Sequence, residues 1–278
     1  MKLFILLAAM VGAIERPIPH LPSECVTIAP RKPSVMATEG RRRAVRHPSL
    51  MPVDIDIAIG WTAAAYGHPT MGEAGARQFA ENAIAHTNAA LRTTGVYHVT
   101  LRLVWTGQFD FVDAPGVTPQ DAMDWMLADP AVLAMREATR ADEVWIITFW
   151  TTASAAPVPI TAADYNPANG VAVVNLIGGV HSAAHEFGHT LGLFHDFAQI
   201  EKPPKDDPFP HRYAYYSVAG NFKDIMTPRY KCPSCDVYDA FSNASPVMTF
   251  RGFPTGGPKS DAASLIPWAA ARVAGYSD

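Results

Sequence analysis

His185, Glu186, His189, Gly192 and His195 stand in one unbroken stretch, His-Glu-Phe-Gly-His-Thr-Leu-Gly-Leu-Phe-His-Asp, and their spacing suits a three-histidine zinc site. Residues four apart share one helix face, so His185 and His189 are set to present imidazoles to a single ion, with Glu186 beside them facing a bound water. Gly192 suits the left-handed position just past a helix end, where a sharp turn would bring His195 back beneath the same ion. Three protein ligands leave a fourth position open. That opening separates catalytic zinc, where a water is activated, from structural zinc closed by four ligands. A bare His-Glu-x-x-His is short enough to occur by chance on a helix, but the glycine and the third histidine at fixed offsets are independent demands. His181, four residues before His185, offers a rival trio of His181, His185 and His189. Eight helical residues rise about 12 Å, too far for the outer rings to share one ion, so His181 is expected at the helix start or in the cleft.

The elements that must hold this string are legible upstream. Val53-Asp-Ile-Asp-Ile-Ala-Ile59 alternates apolar and polar residues as a half-buried strand does. Gly72 to Leu91 places Ala76, Phe79, Ala80, Ile84 and Ala85 at three- and four-residue spacing, which predicts a helix that Thr94-Gly95 ends. Val99 to Val104 reads as a second strand. Thr118 opens a helical stretch to about Ala138 that Pro130 must interrupt or kink. Asp142 to Trp150 is a near-continuous apolar run, as in a strand buried on both faces. Ala155 to Thr161 is extended in character, but Pro157 and Pro159 confine it to an edge or a loop. Val171 to Ile177 supplies another strand, Gly178-Gly179 turns the chain, and the metal-site helix is expected from near Ser182. Strands alternating with helices predict an α/β (α+β) layered fold with a twisted, mostly parallel sheet. After Asp196 the sequence becomes irregular until Asp261 to Val273, an amphipathic helix with Pro267 near its middle. The substrate cleft is therefore expected between a regular upper half and a loop-rich lower half.

The chain has 278 residues, 49% hydrophobic and 17% charged, enough for one medium-sized domain with an N-terminal appendage. Its formal net charge of -4 and a single basic cluster, Arg41, Arg42, Arg43 and Arg46, argue against nucleic acid as a partner. Met1 and Lys2 precede an apolar run to Ile14 that reads as a signal peptide over 1–14, too short to span a bilayer. Export without a membrane anchor, as a monomer, is expected. Residues 15–51, rich in Pro, Arg and Ser, read as a prosegment or flexible N-terminal region, and 52–278 as the catalytic domain. Three cysteines are an odd number for an exported chain. Cys232-Pro-Ser-Cys235 is spaced to close a small disulfide, leaving Cys25 over. A thiolate is a good zinc ligand, so Cys25 is a candidate to fill the open position until cleavage near Arg43 or Arg46; a free thiol in a disordered tail is the other reading.

The string from His185 to His195 resembles the metzincin signature, and the adjoining Asp196 is similar to the adamalysin/reprolysin branch of zinc metalloproteases. That resemblance implies a methionine-containing turn below the metal, for which Asp224-Ile-Met226-Thr-Pro is the best candidate and Met248 the runner-up. The opening Val53-Asp-Ile-Asp strand, Tyr213-Ala-Tyr215, Phe241-Ser-Asn243 and Phe253-Pro-Thr-Gly256 are similar to secreted bacterial reprolysin-like proteases, including peptidyl-Asp metalloendopeptidases. Several disulfide cysteines of animal adamalysins are absent, and aspartate-directed specificity is not carried over.

The expected activity is hydrolysis of a protein or peptide substrate, with His185, His189 and His195 binding Zn²⁺ and Glu186 taking the proton of its water. An extended peptide is expected to pair with the edge at Ala155 to Thr161. Side-chain selectivity is expected from loops between Thr227 and Phe250. Tyr230 is a candidate to contact the metal or the oxyanion; a packed tyrosine is the alternative. Asp196 is expected to fix a turn as a buried carboxylate, and His68 and His211 to be surface or loop residues. The competing reading is a zinc-stabilised binding or adhesion module of the same fold that does not hydrolyse, against which the intact Glu186 speaks.

Overall fold

The computed structural model describes residues 25–31, 51–68, 71–195 and 209–277. The signal-peptide run, the arginine cluster and Asp196 lie outside them.

Six strands form one sheet. In chain order, β1 (Val26–Ile28) and β2 (Val53–Trp61) are followed by helices α1 (Ala63–Tyr66) and α2 (Gly72–Thr94) and by β3 (Val99–Gln108). Then come α3 (Pro119–Ala128), α4 (Pro130–Thr139), β4 (Glu143–Thr148), β5 (Ala155–Pro157), β6 (Val171–Asn175) and α5 (Gly179–Thr190). The strand order is β1-β5-β6-β4-β2-β3, parallel throughout except where β5 meets β6. The fold is thus mixed α/β with a mostly parallel sheet, as the alternation predicts.

Period-two alternation divides the strand side chains between two cores. Ile55, Ile57, Trp145, Ile147 and Val174 face the core shared with α2, α5 and the last helix, α6 (Ala262–Val273). Ala58, Val144, Ile146 and Val173 face the second core, with Met123, Met126 and Val132 of α3 and α4. β4 is buried at every position, which is why its middle, Val144 to Ile147, is apolar on both faces. Pro130 splits the predicted helix in two instead of kinking it. Thr118 caps α3 in a reciprocal box with Asp121, and Asp129 caps α4.

Three expectations need correction. α5 begins at Gly179, not near Ser182, so His181 sits inside its first turn. On α2 the buried stripe runs through Ala76, Ala80, Ala83, Ile84 and Thr87, while Ala85 is exposed. His68 is a loop residue in the bend after α1, as expected, half-buried with its ring 5.2 Å from that of Phe149. The N-terminal tract, which carries no strand periodicity, contributes β1 to the sheet edge, because β5 has a free flank and a parallel neighbour needs only backbone groups.

Below α5 the chain is loop-rich, with a small sheet of β7 (Tyr216–Ser217), β8 (Phe222–Lys223) and β9 (Asp236–Val237). Among the described residues no helix is long and apolar enough to cross a membrane.

Candidate metal centre

Helix α5 carries His185, Glu186 and His189, all buried, on the side turned towards the lower half. Its end is set by Gly192. That residue has φ +80°, and a Cβ there would stand 2.5 Å from Tyr165 Oη and 3.0 Å from the Pro159 carbonyl, so only glycine fits. The turn returns His195 beneath the helix. His195 Nε2 lies 2.8 Å from His185 Nε2 and 3.0 Å from His189 Nε2.

The tautomers follow from the partners. His185 Nδ1 donates to the Ile225 carbonyl at 2.7 Å and His189 Nδ1 to the Leu193 carbonyl at 2.8 Å. A carbonyl only accepts, so each Nδ1 bears the proton and each Nε2 offers a lone pair to the common point. Burial, reinforced by the neighbouring imidazoles, holds His185 and His189 well below the usual histidine pKa, so both rings are neutral at pH 7. Converging lone pairs repel unless a cation lies among them, and a tetrahedral zinc with bonds near 2.0–2.1 Å spaces its ligand atoms about 3.3 Å apart. The donor set fits that ion. Cys25 supplies a fourth atom: its Sγ is 3.2 Å from His189 Nε2 and 3.5 Å from Glu186 Oε2. All four ligand atoms lie within 4.8 Å of one another.

Glu186 stands beside this cluster, and its Oε1 has no hydrogen-bond partner. Burial raises its carboxyl well above the ordinary value, and burial with the adjacent Glu186 raises the Cys25 thiol likewise. The cluster opens into a cavity of about 480 Å³ whose lining includes Glu186, Lys223, Arg229, Tyr230 and Cys235. Lys223 Nζ donates to the Cys232 carbonyl at 3.1 Å, and Cys232 is disulfide-bonded to Cys235. Burial and then the Arg229 cation lower the Lys223 pKa.

Met226 is buried directly under the helix. A Cβ at Gly188 would stand 2.4 Å from Met226 Sδ, so glycine at 188 permits the close approach. Asp224, buried and raised to about 7 by that burial, accepts from the Tyr215 backbone N–H and the Thr227 hydroxyl. It thereby fixes the turn that presents the Ile225 carbonyl to His185. Met248 lies elsewhere, beside the Asn243 loop. Tyr230 is half-exposed at the cavity wall, and His211 is an exposed loop residue. The two orienting carbonyls and Lys223 had no sequence signal: carbonyls are common to every residue, and a lysine gains meaning only from the wall it joins.

No protein-family model matches the chain. It is 29% identical over 195 residues to the peptidyl-Asp metalloendopeptidase of Pseudomonas aeruginosa, an alignment covering 63% of this chain and 32% of that protein. The chain thus spans about a third of the relative it matches. Among solved structures, one described as the structure of a chaperone-substrate complex superposes with a TM-score of 0.62 over 81% of this chain and 35% of that one, at 18% identity, a likeness of fold.

Proposed function

We propose that the chain is a secreted zinc endopeptidase of the metzincin type, made as a precursor in which Cys25 closes the metal site. The convergence of three imidazole nitrogens beside a buried carboxylate carries this reading, and the similarity to a metalloendopeptidase supports it. His185, His189 and His195 would hold the ion. Bound there, zinc lowers the pKa of a water towards neutrality and polarises a carbonyl. Glu186, its basicity raised by burial, would be the group to take a proton from such a water and to return it to the leaving amine. Met226 floors the site, and Tyr230 is positioned on the wall to meet a substrate.

Residues 15–51 act as the prosegment and 52–278 as the catalytic domain. β1 supports this division: it occupies the flank of β5 where an extended substrate would pair, so one segment covers both the metal and the backbone subsite. Lys223 and Arg229, cations in the cavity wall with no carboxylate partner among the described residues, favour an acidic substrate side chain. The name of the Pseudomonas aeruginosa relative agrees with that preference.

Closure by four ligands also suits a structural zinc in a binding module. Glu186 weighs against it, since a structural site needs no carboxylate with an unpartnered oxygen at its side. The test is cleavage of an unbiased peptide library by the full chain and by a chain starting at Val53, with and without a chelator, with Glu186→Gln alongside. Chelator-sensitive cleavage that drops at least 100-fold in Glu186→Gln while zinc stays bound is expected, general-base catalysis being worth about 10²–10⁴. No cleavage by either chain despite one tightly bound zinc would favour the binding module.

A further inference from the structure

Three side chains that this chemistry leaves unused meet where α2 packs on α5. His86 of α2, His181 in the first turn of α5 and Asp239, two residues past β9, each offer one ligand atom, all within 4.8 Å of one another. Asp239 Oδ1 lies 3.7 Å from His86 Nε2 and 3.5 Å from His181 Nδ1. Those separations exceed the usual 2.7–3.2 Å of a hydrogen bond. His86 Nε2 is buried and has no hydrogen-bond partner although it faces the carboxylate. A tetrahedral ion with bonds of about 2.0–2.2 Å would hold its ligand atoms roughly 3.3–3.6 Å apart, close to the spacing found.

The charge states suit the same occupant. Burial lowers the His86 pKa, leaving a neutral imidazole at pH 7, while the contact with His181 holds the Asp239 carboxyl below its ordinary value. Two imidazoles and one carboxylate are the donor set of borderline divalent ions. The Asp239 side chain is 60% exposed, so a fourth position would face water, and His181 also lines the cavity below the first cluster.

We propose that His86, His181 and Asp239 form a second divalent-metal site, selective for Zn²⁺ or a similar ion, on the shoulder of the active-site cavity. An ion there ties α2, α5 and the Asp236–Ala240 segment together, and so sets the position of one cavity wall relative to the helix that carries Glu186. Without an ion the trio is a histidine-carboxylate contact that binds nothing.

The experiment is a titration of the metal-free full chain with Zn²⁺, counting ions retained after gel filtration, and a parallel titration with Co²⁺ read by its visible absorption. Two ions are expected in the wild type. Asp239→Asn, at an exposed position that leaves the fold intact, and His86→Gln should each retain one. His189→Ala should lose the other ion and keep this one. A wild-type chain with a single ion that His189→Ala abolishes, or a second ion that survives in the Asp239→Asn/His86→Gln double variant, would overturn the proposal. A single ion that His189→Ala keeps and Asp239→Asn loses would uphold this site while removing the catalytic one.

Discussion

Cys25 Sγ lies 3.2 Å from His189 Nε2, which joins residues 164 positions apart through one backbone ladder and one metal-ligand cluster. The thiol also lies 3.5 Å from Glu186 Oε2, and the strand that follows it, β1, pairs with β5. If this segment inhibits as proposed, pairing with β5 would keep the thiol at high effective concentration, and a strong thiol-metal bond would not be required. Cys25→Ser in the intact chain should raise peptide-cleavage rate at least tenfold, measured before any proteolysis, because a hydroxyl is a much weaker zinc ligand. The same variant in a chain starting at Val53 has no meaning, so the comparison belongs to the full chain. Equal rates for wild type and Cys25→Ser would make Cys25 a bystander thiol.

The cations at the cavity wall make a prediction about substrate. Lys223 is buried and its pKa is lowered first by that burial and then by Arg229, so a substrate carboxylate entering between them relieves both costs. Arg229→Ala should lower kcat/KM for peptides with an acidic side chain roughly tenfold, about 1.4 kcal/mol, and leave neutral peptides nearly unchanged. Competition between an aspartyl and an asparaginyl peptide in one reaction reads the ratio directly. An unaltered ratio would remove these cations from selectivity.

What the sequence discloses divides by the range of the force involved. Local rules place Thr118 with Asp121, the break at Pro130, the largely apolar β4 and the left-handed turn at Gly192, because each is decided within a few residues. The three histidines are legible for the same reason. β1 has no such signal: residues around Val26 become a strand only because β5 offers an unpaired flank. His86 and Asp239 are equally silent, since nothing near either one in the chain refers to His181, and only the packing of α2 on α5 unites them. The early start of α5 at Gly179 moves His181 from the helix boundary into its first turn.

Gly192 shows how a local rule serves a remote one. Alanine there must adopt φ +80°, costing about 1–2 kcal/mol, and its Cβ would press on Tyr165 Oη, which donates to the Leu191 carbonyl at 2.9 Å. Gly192→Ala should lower Tm by roughly 5 °C. Since the turn delivers His195, zinc affinity measured by competition with a chelator should fall at least tenfold. A drop in Tm with unchanged zinc affinity would mean that His195 finds its place without this turn.

Glu143 gives the protein a pH-dependent stability. It is fully buried on β4, accepts from Trp145 Nε1 at 2.7 Å through Oε2, and leaves Oε1 without a partner. Burial raises its carboxyl to about 7, with neighbouring Asp142 adding to the rise and Arg136 opposing it. In the unfolded chain the group titrates near 4.5. Between those values the folded state holds a proton that the unfolded state has released, so stability is fully present below about 4.5 and is lost as pH rises through 7. At 1.36 kcal/mol per pH unit the loss is about 3 kcal/mol. Asp224, raised to about 7 by its own burial, acts with the same sign. Glu143→Gln keeps an acceptor for Trp145 and cannot ionise, so its unfolding free energy should match the wild type at pH 4.5 to 5 and exceed it by about 2–3 kcal/mol at pH 8. The variant should keep the part of the slope due to Asp224. Urea unfolding at both pH values measures the difference, and parallel curves for the two proteins would show that Glu143 ionises in the folded state as readily as in the unfolded one.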